Sequence, residues 1–112
     1  MSQRDADWND WRYFLEVARS GSTLAAARKL RVSQTTVARR VAALEEALGL
    51  PLFERRSAGY LPTALGTSLI ADASELERRA LSLADTVRAG GREASGTVRL
   101  TTEEIFAMTL LA

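Results

Sequence analysis

Residues 21–49 hold the feature that most constrains the fold of this chain, which is a pair of helical patterns separated by a very short break. The stretch reads GSTLAAARKLRVSQTTVARRVAALEEALG. The first pattern begins at Ser22 or Thr23, either of which can cap a helix, and it stops near Arg31. We expect this short helix to bury Ala26, Ala27 and Leu30.

The second helical pattern begins after Ser33, the expected N-cap, and ends at Gly49, with Pro51 just beyond. Its apolar residues recur at helical spacing: Val37, Val41, Leu44 and Leu48. A preceding pattern closed by Gly21 predicts another helix, which is capped by Asn9 or Asp10 and is apolar at Trp11, Phe14, Leu15 and Ala18. Two short helices joined by a tight turn, with the second helix longer and basic near its start, describe a helix-turn-helix.

Helical geometry predicts what the second helix of this motif exposes. At about 100° per residue from the apolar line, Thr35 and Arg39 point away from the core, while Thr36 and Arg40 lie on one flank. Gln34, Thr35 and Arg39 occupy the N-terminal end, which meets base edges when such a helix enters the major groove. Gln can pair bidentately with adenine and Arg with guanine. Arg40 is better placed for a phosphate.

The alternative for these arginines is a solvated helix face, with Arg40 paired to Glu45 or Glu46. The charge distribution suits an anionic partner no better than a solvated face, although residues 23–59 carry seven basic residues against three acids in a chain of net charge +1. Of the 15 cationic residues only Lys29 is lysine. Guanidinium groups bind phosphates and guanine edges bidentately, although a GC-rich genome would produce the same bias.

Residues 50–62, LPLFERRSAGYLP, predict a hairpin with strands over 52–55 and 59–61. A hairpin that directly follows the second, DNA-contacting helix of a helix-turn-helix is called a wing. We expect Arg55 and Arg56 at its tip, where an arginine can enter the narrow, electronegative minor groove. The alternative is an exposed turn without a ligand, and Phe53 is expected to pack under the wing.

The motifs AAA…L.VSQ, V.RR…LE..LG, LFER and PT..G occur together and in this order. In this combination the chain resembles the winged helix-turn-helix domain of LysR-type transcriptional regulators, from residue 8 to about residue 102. The resemblance implies two kinds of DNA contact, with Gln34, Thr35 and Arg39 on positions that read bases and Ser33 and Thr36 near the DNA backbone.

Three departures from the family pattern affect which bases are read. The family most often has Pro after the Gln and Ser before the Arg pair, where this chain has Thr35 and Ala38. A wing arginine that is common in the family falls on Ala58, so Arg56 is expected to take its place.

From Thr63, a predicted N-cap, one long helix extends to about residue 89 and is ended by Gly90 and Gly91. Its apolar residues form a narrow coiled-coil stripe: Leu65, Leu69, Ala73, Leu76, Ala80, Leu83 and Val87. Such a stripe needs a partner, so self-association is favoured over packing against its own domain. The resemblance implies a linker helix whose antiparallel pairing makes a homodimer, and a twofold dimer suits a pseudo-palindromic operator.

The sequence thus predicts a mainly α fold in three parts. These are a winged helix-turn-helix DNA-binding domain of three helices and a two-stranded wing over 1–62, a linker or dimerisation helix over 63–91, and a truncated segment over 92–112. This last segment predicts a strand over 97–101 and then a helix, which are unstable without a sheet to join. The resemblance implies that they open an effector-binding domain, so a small-molecule effector is expected only for an intact full-length protein.

Composition removes several other functions. The chain has no cysteine and no histidine, so disulfides, thiolate chemistry and most zinc sites are excluded. No nucleophile and base stand at motif spacing, and we expect neither an enzyme nor a cofactor or bound metal. No apolar run approaches the roughly 20 residues that span a bilayer, and no export signal is evident, so a cytoplasmic, nucleoid-associated location is expected.

Two functional hypotheses follow. The first is a sequence-specific regulator that binds double-stranded promoter or operator DNA as a dimer, with the second helix of the helix-turn-helix in the major groove and the wing in the minor groove. The second is a protein interaction module that acts through the linker helix by pairing with another regulator. Loss of DNA binding on Arg39→Ala, with partner binding unchanged, distinguishes them.

Overall fold

The computed structural model describes the backbone of residues 7–93 and the side chains of residues 7–90. The elements in chain order are α1 Trp8–Ser20, α2 Thr23–Leu30, α3 Gln34–Leu48, β1 Phe53–Arg56, β2 Gly59–Pro62 and α4 Ala64–Glu93. This order confirms the predicted winged helix-turn-helix followed by one long helix. The strand predicted over 97–101 and the helix after it lie outside the described residues.

α1 begins earlier than the sequence predicted, because its N-cap is Asp7. The Asp7 carboxylate accepts a hydrogen bond from the Asn9 N–H at 2.8 Å, so it satisfies a donor at the helix start. Neither Asn9 nor Asp10 is the cap, since both lie inside the helix. The helix ends at Gly21, as predicted, with φ of 79° in the left-handed region.

The two helices of the helix-turn-helix begin at the predicted serines. Ser22 Oγ accepts from the Ala25 N–H at 3.0 Å, and Ser33 Oγ accepts from the Thr36 N–H at 3.1 Å. α2 ends at Arg31, a non-glycine residue in the left-handed region. The short turn between Arg31 and Ser33 therefore fixes where α3 starts relative to α2.

One core joins α1, α2, α3 and the start of β1. Its fully buried side chains are Phe14, Val17, Ala26, Val37, Val41, Leu44 and Leu52. Leu48, predicted on the same stripe as Leu44, is instead 37% exposed. It is the last residue of α3, one turn beyond Leu44, so the sequence stripe extends past the part of the helix that the core covers.

The wing is an antiparallel pair in which Phe53 faces Pro62 and Arg55 faces Tyr60. Side chains alternate between faces along a strand, so Phe53 and Arg55 share one face of the wing. The Phe53 ring lies 5.5 Å from that of Phe14, which confirms that Phe53 packs under the wing. This packing joins the wing to α1 through the core.

A close approach of two backbones also holds the wing against the end of α1. The Tyr60 N–H donates to the Gly21 carbonyl at 3.0 Å. Gly59, at φ of 138°, lies so close that a Cβ there would overlap the Gly21 carbonyl oxygen. Only glycine suits this position, because both its backbone angle and its surroundings exclude a side chain.

α4 begins after Thr63, whose hydroxyl accepts from the Gly66 N–H at 3.1 Å, as predicted. The helix does not end before Gly90 and Gly91 but continues to Glu93, so the predicted end near residue 89 is wrong. Glycine lowers helix stability without forbidding the helix, and the glycine pair was therefore a weaker stop than its sequence suggested.

The chain divides into two compact units within α4, Met1–Ala73 and Ser74–Ala112. In the first unit, three of the stripe positions pack against the core: Leu65, Leu69 and Ala73. At these three positions the stripe thus packs against its own domain, the arrangement that its sequence pattern disfavoured. In the second unit Ala80 is buried, Leu76 and Val87 are half-buried, and Leu83 is 41% exposed.

The domain boundaries predicted at residues 62 and 91 stay predictions.

Along residues 7–93 the structure contains no helix with the length and apolar character needed to cross a membrane.

Candidate nucleic-acid interface

The N-terminal half of α3 presents Thr35 and Arg39 to solvent. Residues four apart lie side by side on a helix, so these two side chains share one outward face. Arg39 forms no hydrogen bond or ion pair with any residue that the structure describes. Its five N–H donors are therefore available to an external acceptor.

Gln34 is also exposed, but α2 holds its side chain. Gln34 Nε2 donates to Thr23 Oγ1 at 2.9 Å, and Thr23 is buried. This hydrogen bond uses one of the two amide N–H groups and orients the amide at the start of α3. Thr23 is therefore a positioning residue, although its sequence position indicated only a possible helix cap.

Two of the predicted backbone-contact residues bind each other. The hydroxyls of Ser33 and Thr36 lie 2.8 Å apart, and Ser33 also caps α3. Both residues thus stabilise the helix start that would approach a DNA backbone. Helix N-termini present unpaired N–H groups that attract anions.

Arg40 faces an acid, but the acid is neither Glu45 nor Glu46. Arg40 Nη1 lies 3.7 Å from Asp10 Oδ1, a separation that makes an ion pair without a hydrogen bond. The pKa of Asp10 is raised from 3.8 to about 6, chiefly by burial and then by the nearby Asp7 charge, while Arg40 opposes the shift. The Arg40 side chain remains 42% exposed, so solvent and any ligand on that flank can reach it.

Glu45 ties the wing to α3. Its Oε2 accepts from the backbone N–H groups of Leu52 and Phe53, at 2.7 and 3.1 Å. Its Oε1 accepts from Arg55 Nη2 at 3.0 Å. One carboxylate thus fixes both the start of β1 and a side chain further along it.

Arg55 does not lie at the wing tip, as the sequence predicted. It stands opposite Tyr60, donates from Nε to the Tyr60 hydroxyl at 3.2 Å and lies over the Tyr60 ring at 5.1 Å. The hydrogen bonds to Tyr60 and Glu45 raise the pKa of Arg55 above its usual range. The strand extends to Arg56, one residue further than predicted, so Arg56 rather than Arg55 stands next to the turn.

Arg56 is the arginine next to the turn, where it pairs with Gly59 in the sheet register. Its guanidinium bonds Glu54 on the solvent face of the wing, with Nη2 2.6 Å from Oε1. Both side chains are more than half exposed, so water and salt weaken this pair. Arg56 can therefore exchange Glu54 for another anion at small cost.

Asp10 and Glu45 were expected in other roles, as a helix cap and as a partner of Arg40, although their spacing carried a signal for the roles they have. Asp10 precedes Phe14 by four residues, and Glu45 follows Val41 by four. Each acid therefore lies on the apolar face of its helix, where a carboxylate needs a partner. Within residues 7–93 no cluster of acids suited to holding a metal ion is present.

Comparison with known proteins identifies this arrangement. The family described as "Bacterial regulatory helix-turn-helix protein, lysR family" matches residues 8–67, more than half of the chain. The chain belongs to this family, and the resemblance seen in its motifs is confirmed. The matched residues contain α1 to α3, the wing and the start of α4.

A curated relative is the HTH-type transcriptional regulator ClcR of Pseudomonas putida, 42% identical over 89 residues. The match covers 80% of this chain and 29% of ClcR, so the chain spans less than a third of that relative. The HTH-type transcriptional regulator YofA of Bacillus subtilis is 36% identical over 105 residues, which cover 91% of this chain and 35% of YofA.

Complexes with DNA are among the similar solved structures. The CbnR DBD–DNA complex superposes with a TM-score of 0.61 at 39% identity and covers 79% of this chain and 97% of that chain. The BenM DBD/catB site 1 DNA complex has a TM-score of 0.64 at 36% identity and covers 80% and 97%. These matches establish the winged helix-turn-helix as the fold of a DNA-binding domain.

Proposed function

We propose that this chain is the DNA-binding part of a LysR-type transcriptional regulator and binds a pseudo-palindromic operator as a dimer. The observation that carries the proposal is the outward face of α3, where Arg39 is exposed and without a partner among the described residues. Similar domains are solved in complexes with DNA. These matches favour DNA binding over a module that acts only by pairing with another regulator.

In this proposal the N-terminal end of α3 enters the major groove. Arg39 pairs with a guanine edge, and Gln34, which Thr23 orients, pairs with adenine. Thr35, on the same exposed face as Arg39, offers its hydroxyl or methyl group to a base. Ser33, Thr36 and Arg40 serve the phosphate backbone, which fixes the register without reading sequence.

The wing contributes a minor-groove or phosphate contact, chiefly through Arg56. Its position beside the turn and its exposed pair with Glu54 support this role. Arg55 remains a candidate for a phosphate contact, but its bonds to Glu45 and Tyr60 compete with one. We therefore expect Arg55 to contribute less to DNA affinity than Arg56.

The dimer is proposed to form through the α4 stripe. The exposed Leu83 and the half-buried Leu76 and Val87 support this assignment in the second unit. Leu65, Leu69, Ala73 and Ala80 belong to the same heptad pattern, although the first three also pack on their own domain. A twofold dimer would present two α3 helices to half-sites about one helical turn, or a multiple of it, apart.

We also propose a location with the chromosome in the bacterial cytoplasm and a role without catalysis. Its relatives are named as transcriptional regulators. We expect a small-molecule effector only in a longer protein that carries a complete effector domain.

Selection of bound sequences from a random double-stranded DNA pool, at two salt concentrations, tests this function. Enrichment of an inverted repeat that persists as salt weakens binding supports sequence-specific dimeric recognition. Binding that fades with salt and enriches no motif contradicts it, since only phosphate attraction would remain.

A further inference from the structure

Asp10 is a buried acid directly behind a residue of the proposed interface. Its side chain is 6% exposed, and its Oδ1 lies 3.7 Å from Arg40 Nη1. Among the described residues this oxygen has no hydrogen-bond partner. Arg40 therefore supplies a positive charge, but no hydrogen bond, to a carboxylate with little access to water.

The same guanidinium is reachable from outside. Arg40 lies on the flank of α3, and its side chain is 42% exposed. A loose ion pair on an accessible flank costs little to exchange, because no directed hydrogen bond has to break. A phosphate that approaches this flank would thus meet a cation whose internal partner holds it weakly.

We propose that Asp10 competes with a DNA phosphate for Arg40, so that the Asp10 carboxylate takes up a proton from solvent when the chain binds DNA. The inference rests on the proposed function, specifically on a phosphate contact by Arg40. It makes Asp10 a positioning residue, which acts on DNA only through Arg40.

The direction in which the pKa of Asp10 changes on DNA binding follows from the charges around this residue. Asp7, from the N-terminus of α1, and Arg40, from α3, are the charged groups that act on it. Burial and Asp7 favour the neutral acid, and Arg40 favours the charged one. Moving Arg40 towards a phosphate weakens its effect, and the phosphate adds negative potential, so both changes raise the pKa of Asp10.

Because DNA binding and proton uptake are coupled, the affinity for DNA depends on pH, and it does so near neutral pH. The pKa of Asp10 is about 6 without DNA and rises in the complex. Affinity therefore increases as pH falls through the higher, DNA-bound pKa, and it levels off below the lower, free-state pKa. The chain contains no histidine or cysteine, the side chains that ordinarily titrate in this range, so little else obscures the effect.

The test measures Kd for the selected inverted repeat between about pH 5 and pH 8 at constant ionic strength. For the unmodified chain we expect Kd to fall by about three- to tenfold towards low pH, since one pKa unit corresponds to tenfold. Asp10→Asn should bind at every pH about as tightly as the unmodified chain does at low pH. Glu46→Gln, which neutralises an exposed acid of α3, is the matched control and should keep the pH dependence.

A second variant, at Arg40, tests whether Asp10 affects DNA binding through Arg40 or only through a change in structure. Arg40→Gln should bind more weakly, lose most of the pH dependence and reduce the salt slope of log Kd by about 1. Parallel pH profiles for the unmodified chain and Asp10→Asn overturn the role of Asp10 while leaving sequence-specific binding intact. Failure of the unmodified chain to prefer the repeat over a scrambled duplex overturns the proposed function and this inference together.

Discussion

Glu45 and Arg55 form a 3.0 Å ion pair that joins the proposed recognition helix to the wing. The other oxygen of the same carboxylate accepts the backbone N–H groups of Leu52 and Phe53. The wing is therefore held to α3 by both backbone and side chain. Such a connection sets the distance between the major-groove and minor-groove elements of a winged domain.

Glu45 should contribute strongly to folding stability. Glu45→Gln keeps one carbonyl oxygen for the two N–H groups and loses the Arg55 pair, so we expect destabilisation by about 1 kcal/mol. Glu45→Ala leaves both N–H groups without that acceptor and should cost about 2–4 kcal/mol. Urea unfolding measures both changes, with Glu46→Gln as a nearly neutral control. Equal stability of Glu45→Ala and this control would contradict the role of Glu45 in holding the wing to α3.

Asp10 should make stability depend on pH. Its folded-state pKa of about 6 lies above the usual 3.8, so the folded chain binds more protons than the unfolded chain between these values. Stability contributed by this group is thus lost as pH rises through that window. Asp10→Asn should remove the loss and stabilise the fold at pH 7 by about 1–3 kcal/mol.

The measurement is urea unfolding of the unmodified chain and Asp10→Asn from about pH 4 to pH 7. The difference between their free energies of unfolding is taken at each pH, so that the contributions of the other carboxylates cancel. A difference that does not change with pH would show that Asp10 keeps an ordinary pKa.

The proposed dimer interface predicts different effects for substitutions at two nearby leucines of α4. Leu83 lies on the heptad stripe, whereas Leu81, 45% exposed, lies off it. Because a glutamate in a paired apolar stripe carries an uncompensated buried charge, Leu83→Glu should weaken the dimer at least tenfold, or by about 1.4 kcal/mol. Leu81→Glu should leave it nearly unchanged, as sedimentation equilibrium can establish. Equal effects of the two substitutions would remove Leu83 from the interface.

Gly59 and Gly90 should respond oppositely to a methyl group. At Gly59 an alanine Cβ overlaps the Gly21 carbonyl at a positive φ, so we expect a loss of about 2 kcal/mol or more. At Gly90, inside α4, no atom is close to the added Cβ. Alanine there should raise helix stability by about 0.5–1 kcal/mol. Thermal unfolding compares the two, and a harmless Gly59→Ala would contradict the close contact of wing and α1.

Much of the fold was predictable because local rules agree with the tertiary structure. Ser22 and Ser33 cap helices whose apolar residues recur at helical spacing, and the motif is complete within a short stretch. The errors occurred where local rules compete. Asp7 rather than Asn9 or Asp10 caps α1, and α4 continues through a glycine pair that usually ends a helix.

The exposed part of the candidate site was predictable from helical angles alone, which placed Thr35 and Arg39 on the outer face of α3. Its internal partners were not, because pairs such as Gln34 with Thr23 join different elements. Their contact depends on how two helices pack, and the periodicity of one helix contains no such information.

The central claim is that Arg39 reads bases, and the most direct test compares its alanine variant on two duplexes. One duplex carries the selected inverted repeat, and the other has the same composition in scrambled order. Because a bidentate base contact is worth about 1–3 kcal/mol, Arg39→Ala should weaken binding to the repeat by about 10- to 100-fold per half-site and scarcely affect the scrambled duplex. Arg88→Ala, which removes one exposed arginine of α4, is the charge-matched control and should keep the preference. Equal loss of affinity on both duplexes, with the preference for the repeat retained, would contradict base reading by Arg39.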